Sequence, residues 1–212
     1  SVNRVKSLVI DNAVWDDAVR KIYAPRLDTR WLYNTWGAGF KVNNLYDGTF
    51  VLNEQFDVLW GSFRSQPFSE KDITFFGEGL RAIINAHRDA LQSGEHIYAG
   101  LTRTEAGIAF IGIGLVRPMI GRLQVYDGTR RYLVITRHLN PQILTNLGNT
   151  FQINGLNFTD GPTSEFSVPL HSAADEVLGY LNWTPHLQGV EAAKAASGDI
   201  TRIVLLASAL IT

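Results

Sequence analysis

Gly77, Gly79 and Ala82, in the stretch FFGEGLRA, have the spacing of the glycine fingerprint that lets a backbone turn approach a dinucleotide pyrophosphate. The chemistry would be phosphate binding at the start of a helix, but the setting opposes it. The fingerprint needs a strand before it and a second parallel strand ending in an acid about 20 residues later. Residues 73–76 read instead as the first turns of the helix itself, and Glu95 precedes the next apolar run. The histidines, His87, His96, His138, His171 and His186, are scattered, show no metal-ligand pair around a carboxylate, and read as surface or structural residues. No metal or other cofactor is expected. No serine stands in a nucleophile-elbow context, and the absence of cysteine removes thiolate catalysis, thiolate metal sites and disulfides together. Asp16 and Asp17 are adjacent, so on a helix they point about 100° apart and do not form a shared dyad. Nothing here demands an enzyme.

The chemistry that remains is recognition. Trp31, Asn34 and Trp36 mix aromatic rings with an amide, as a pocket for a small polar ligand does. Trp60 and Ser62 fall at the end of a strand, where a side chain can face a cavity beside the sheet. Tyr98 and Arg117, the latter followed by Pro118, could meet an aromatic or carboxylate group of a ligand. For the tryptophans the competing account is ordinary core packing, and for Arg117 it is solvent exposure.

These residues need elements to hold them. In VNRVKSLVIDNAVWDDAVRKIY, Val2, Val5, Val9, Val19 and Ile22 recur at three-and-four spacing, which predicts one long amphipathic helix before Pro25 breaks the chain. A second helix is expected behind the cap Asp28, stopped by Gly37 and Gly39. Strands over 49–52 and 57–62 flank Asn53-Glu54-Gln55 as a β-hairpin. A helix capped by Ser69 follows, with Leu80, Ile83, Ile84, His87 and Leu91 on one face and Gly94 at its end. AGIAFIGIGLVRP and RRYLVITRHL read as a strand pair, and Pro141 opens a helix through Leu144 and Leu147 to Gly148. GLNFTDG, EFSVPLHS and VLGYLNWTP are three further short strands, before an Ala-rich exit helix. Strands adjacent in sequence argue an α+β fold with an antiparallel sheet flanked by helices, not a βαβ sheet. YDGT at 46–49 and again at 126–129 reads as two independent turns before strands.

With 212 residues and 45% apolar content the chain can bury a real core, as one large or two small domains. Lys plus Arg is 19 against 20 for Asp plus Glu, and no basic cluster exceeds Arg130-Arg131, which excludes a nucleic-acid partner. Asn157 and Asn182 satisfy the glycosylation pattern, which matters only in a eukaryotic secretory setting. The apolar run RIVLLASALIT, 202–212, is too short to span a membrane, and is expected to be the first part of a membrane helix with Arg202 near the water interface.

AVWDDAVRKI, WLYNTWGAGFKV, FVLNEQFDVLWGS, LVITRHLNPQILTNLG and VLGYLNWTPHLQG, taken in that order over roughly 2–189, resemble the extracytoplasmic CHASE sensor domain of type four. The segment 121–129 departs from that pattern by its length. The resemblance implies a Cache/PAS-like antiparallel sheet, a long N-terminal helix and a C-terminal exit helix. Residues 1–199 are then one sensor domain, and 200–212 start a membrane-proximal or second transmembrane helix. It also implies a periplasmic domain of an inner-membrane receptor, held by flanking membrane helices and pairing as a homodimer through the N-terminal helix. Its unidentified small-molecule ligand would control a cytoplasmic diguanylate cyclase, cyclic-di-GMP phosphodiesterase or histidine kinase. In the resemblance, Trp15, Asp16 and Asp17 fix the first helix against the core or line the pocket. The rival functions are a sensor of a partner protein or envelope signal and, through Gly77, Gly79 and Ala82, a nucleotide-dependent enzyme.

Overall fold

Val5, Val9 and Ala13 recur at four-residue spacing and are fully buried along one face of the first helix, α1 (Val2–Ala13). The computed structural model that shows this describes residues 1–68, 74–93, 97–119, 129–172 and 174–184. The expected single helix is in fact two: α2 (Asp16–Ile22) follows after Val14 and an extended Trp15. Ten residues advance a helix by about 1000°, so Val19 on a straight helix would sit about 80° away from the face of Val9. The break removes that mismatch, and Ala18, Val19 and Ile22 are buried. It is held by a parallel bridge between Val14 and Arg117, whose N–H donates to the Ala13 carbonyl at 3.0 Å.

The chain divides into two compact units, Ser1–His138 and Leu139–Thr212. In the first, Asp28 caps α3 (Thr29–Leu32) as expected, accepting from the Trp31 N–H at 3.0 Å. The Lys21 ammonium and that N–H hold the Asp28 carboxyl below the usual range. A π-helical turn, Tyr33–Gly37, and α4 (Gly39–Asn43) complete this helical segment. The hairpin of β1 (Gly48–Leu52) and β2 (Val58–Phe63) forms where predicted, with a two-residue β3 (Gln66–Pro67) beside it. A 3-10 turn, Thr74–Phe76, leads into α5 (Gly77–Ser93). The expected cap Ser69 and stop Gly94 lie outside the described residues.

Three antiparallel strands follow where the sequence reading placed two: β4 (Tyr98–Thr104), β5 (Gly107–Leu115) and β6 (Tyr132–His138). The sheet order is β3-β2-β1-β6-β5-β4, and the expected α+β class, an antiparallel sheet flanked by helices, is what the structure shows. Strand alternation sorts the core into two layers. Val51, Leu133 and Ile135 face α1 to α3, whereas Phe50, Leu52, Ile111, Ile113, Tyr132 and Val134 face Phe75, Phe76 and the Leu80, Ile83 and Ile84 side of α5.

Helix α1 rides on β5 because two positions beneath it lack side chains. A Cβ at Gly112 would lie 2.8 Å from Val9 and 2.9 Å from Val5, and one at Gly114 would lie 2.8 Å from Val9. Gly112→Val is therefore expected to destabilise the first unit by about 1–3 kcal/mol in denaturant unfolding, the usual range for overpacking. A loss below about 0.5 kcal/mol would show that α1 can lift off the sheet without consequence.

In the second unit, Asn140 caps α6 (Pro141–Phe151), accepting from the Ile143 N–H at 2.9 Å, with Pro141 in the first turn as predicted. The helix runs past Gly148 and ends at Gln152 in the left-handed conformation. The three predicted strands form, β7 (Asn154–Thr159), β8 (Ser167–His171) and β9 (Val177–Thr184), but as a sheet of their own in the order β7-β9-β8. Among the described residues no helix is long and apolar enough to cross a membrane. The expected exit helix, the tail 202–212 and most of the long segment 121–129, with the second YDGT, lie outside the described residues.

Candidate functional site

The sequence-predicted site residues separate. Trp15, Trp31 and Trp36 come together where α1, α2 and α3 meet the sheet: the Trp15 and Trp31 rings lie 5.3 Å apart, and Trp31 and Trp36 lie 5.5 Å apart, edge to face. Trp60 packs half-buried on the same core. Trp36 is 1% exposed and its indole N–H donates to Asn12 Oδ1 at 2.9 Å. Its carbonyl accepts from the buried Tyr46 hydroxyl at 2.9 Å, and Ser62 Oγ donates to the Gly37 carbonyl at 3.2 Å. The polar handles of Trp36 and Ser62 are thus spent inside the fold, pinning the π-helical turn between α1 and β2.

The others stand apart from this cluster. Asn34 is exposed on the π-helical turn. Asp16 accepts from the Met119 N–H at 2.9 Å, which fixes the chain leaving β5 to the first turn of α2. Arg117 is exposed and held by its backbone. Tyr98 packs with the opposite core layer, 4.7 Å from the His87 ring, and burial pushes its hydroxyl up to about 12. At Gly79 a Cβ would lie 2.1 Å from Thr102 Oγ1, so this glycine lets α5 approach β4, which accounts for it without a nucleotide. Asn182 is buried with its amide donating to Thr159 Oγ1 at 2.6 Å, so of the two glycosylation patterns only Asn157 is exposed. Among the described residues no cluster could hold a metal ion.

The sequence reading missed two constellations. One is a buried chain of Asp47, His138 and Thr104. His138 is 2% exposed; its Nδ1 lies 2.9 Å from the Asp47 carboxylate and its Nε2 lies 2.6 Å from Thr104 Oγ1. The carboxylate also accepts from the His138 N–H at 2.8 Å and from Thr136 Oγ1 at 3.2 Å. The order hydroxyl, imidazole, carboxylate is that of a nucleophilic triad, but Thr104 is itself buried, lies 3.1 Å from the Gly107 carbonyl, and the Phe63 and Phe75 rings close over the imidazole. The hydroxyl is thus buried and engaged within the fold. The network is a polar bolt joining β1, β4 and β6 at one end of the sheet.

The second is a cleft of about 300 Å³ lined by Gln55, Phe56 and Asp57 of the β1–β2 turn and by Arg81, Ile84, Asn85 and Arg88 of α5. Its trace in the sequence is the polar stripe Arg81, Asn85, Arg88 at i, i+4 and i+7.

The family model described as CHASE4 domain matches residues 1–158. The chain belongs to the CHASE4 family. The match takes in the whole six-stranded sheet, its helices, α6 and most of β7, and it makes the CHASE4 chain an extracytoplasmic sensor domain of a membrane receptor, from a family that is sensory rather than catalytic. Among solved structures, the Vibrio cholerae LuxQ periplasmic domain matches 89% of the CHASE4 chain over 90% of its own length, at 12% identity and a TM-score of 0.48. No curated protein matches the chain in sequence.

Proposed function

We propose that this CHASE4 domain is the signal-input module of a periplasm-facing inner-membrane receptor. It binds a small ligand and controls a cytoplasmic diguanylate cyclase, cyclic-di-GMP phosphodiesterase or histidine kinase, with residues 1–199 as the input domain. The observation that carries this reading is the family match over 1–158, which includes both α1 and the sheet on which it rides. A ligand shifts the equilibrium between two arrangements of sheet and helix by no more than its difference in affinity for them. Because α1 lies on bare glycine positions of β5, a small change in the sheet moves α1 directly. Two copies pair along the outward face of α1, where Ile10 is 43% exposed. The test is a thermal-shift screen of small metabolites on the purified chain. A ligand at 100 times its Kd is expected to add about 2.7 kcal/mol of stability. A broad screen with no stabilising compound would reject small-ligand sensing in favour of a protein partner.

A further inference from the structure

We propose that the cleft between the β1–β2 turn and α5 binds a small organic carboxylate. This rests on the small-ligand reading above and gives the ligand a place and a charge. Arg81 and Asn85, one turn apart on α5, and Arg88, just past a kink at His87, line one wall of the cleft opposite the turn that carries Phe56, across a volume of about 300 Å³, the small end of ligand pockets. The local charge favours an anion. Among the described lining residues two guanidiniums face one carboxylate, Asp57, which already accepts from the Asn53 amide at 2.9 Å. Arg81 is 3.7 Å from Glu78, an exposed pair of little strength that a bound anion can replace. Arg88 has no carboxylate partner among the described residues: it donates to Asn85 Oδ1 at 3.1 Å and lies over the Phe56 ring at 5.4 Å. A guanidinium fork matches a planar carboxylate, and the apolar floor of Phe56 and Ile84 favours an organic body over bare phosphate.

The floor itself shows a second sign. Phe56 has φ of 68°, in the left-handed region that bulky residues avoid, and its ring stacks 5.0 Å from that of Tyr132. Tyr132 is fully buried, and its hydroxyl has no hydrogen-bond partner among the described residues. A strained backbone and an orphaned hydroxyl meet at one place, and such costs cluster at ligand clamps. The Phe56 turn follows directly on β1, which pairs with β6 at the centre of the sheet.

The test is isothermal titration of the whole chain with benzoate, glutarate, benzamide and inorganic phosphate, at low and high salt. The wild type should bind at least one carboxylate, more weakly at high salt, and should not bind neutral benzamide. Arg81→Gln and Arg88→Gln should each weaken binding about tenfold or more. Asn85→Asp should abolish it and the distant Arg20→Gln should leave it unchanged. All four side chains are exposed, so circular dichroism should show intact folds. Phosphate binding alone, or carboxylate binding unchanged in both arginine variants, overturns the cleft assignment and leaves small-ligand sensing standing. So does a wild type that ignores these probes yet is stabilised by neutral or cationic metabolites. A screen in which no small molecule binds removes the sensing reading, and the cleft with it.

Discussion

Replacing Asp47 by Ala is expected to cost the first unit about 3–5 kcal/mol, the usual result of breaking a buried pair by removing one partner. The carboxylate accepts from the His138 ring, the His138 N–H and the Thr136 hydroxyl, and Asp47, His138 and Thr136 are all buried. Without it, three donors are left unpaired in a buried site. The melting transition of the first unit should fall by roughly 6–20 °C, given about 2–4 °C per kcal/mol at this chain length. Asp47→Asn should cost less, since one carbonyl oxygen remains. A double-mutant cycle with His138→Ala should show a coupling of about 1–3 kcal/mol, because the two groups are each other's main partners. A drop below about 1 kcal/mol for Asp47→Ala would mean that the sheet end rearranges to admit water, and that the bolt does not fix β1, β4 and β6 together.

Asp47 also shows why part of this molecule could be read from its sequence and part could not. YDGT at 46–49 reads as a turn because Asp-Gly is a turn-forming pair, and the strand does begin at Gly48. What local chemistry cannot reveal is that Asp47 faces His138, 91 positions away, because β1 pairs with β6 in a register set by apolar residues elsewhere in both strands. Elements with strong periods or caps were legible: α6 behind Asn140 and Pro141, α3 behind Asp28, and the hairpin of β1 and β2. Strand β4 was not, because Gly100, Thr102 and Arg103 dilute its apolar alternation, and its place is secured by pairing with β5 from Tyr98 to Thr104. The break after Ala13 was hidden for a similar reason: Val14 leaves the helix to bridge Arg117, a contact between distant segments. The cleft lay hidden because its two walls are about 30 residues apart and each reads alone as ordinary polar surface.

The tryptophans carry the last prediction, which separates core from pocket. If the Trp15, Trp31 and Trp36 cluster is packing, Trp36→Ala should destabilise the first unit by about 3–5 kcal/mol, as large aromatic truncations in cores do. Asn34→Ala, two residues away but exposed, should change stability by less than about 0.5 kcal/mol. The expected cost is high because the indole both fills the space among α1, α3 and the sheet and donates to Asn12 on α1. Its removal orphans that amide oxygen and loosens the π-helical turn, whose Gly37 carbonyl accepts from Ser62 on β2. Trp36→Phe, which keeps much of the volume but not the N–H, should fall between the two, combining the lost hydrogen bond with a smaller loss of packing. Equilibrium unfolding in urea measures all three variants on one scale. A Trp36→Ala chain that keeps its stability but loses stabilisation by a ligand found in the thermal-shift screen would move the binding site to the tryptophans. Full stabilisation by that ligand in Asn34→Ala and Trp36→Phe, together with the large loss in Trp36→Ala, would instead leave the cluster as packing that holds α1 and α3 on the sheet, not as a ligand pocket.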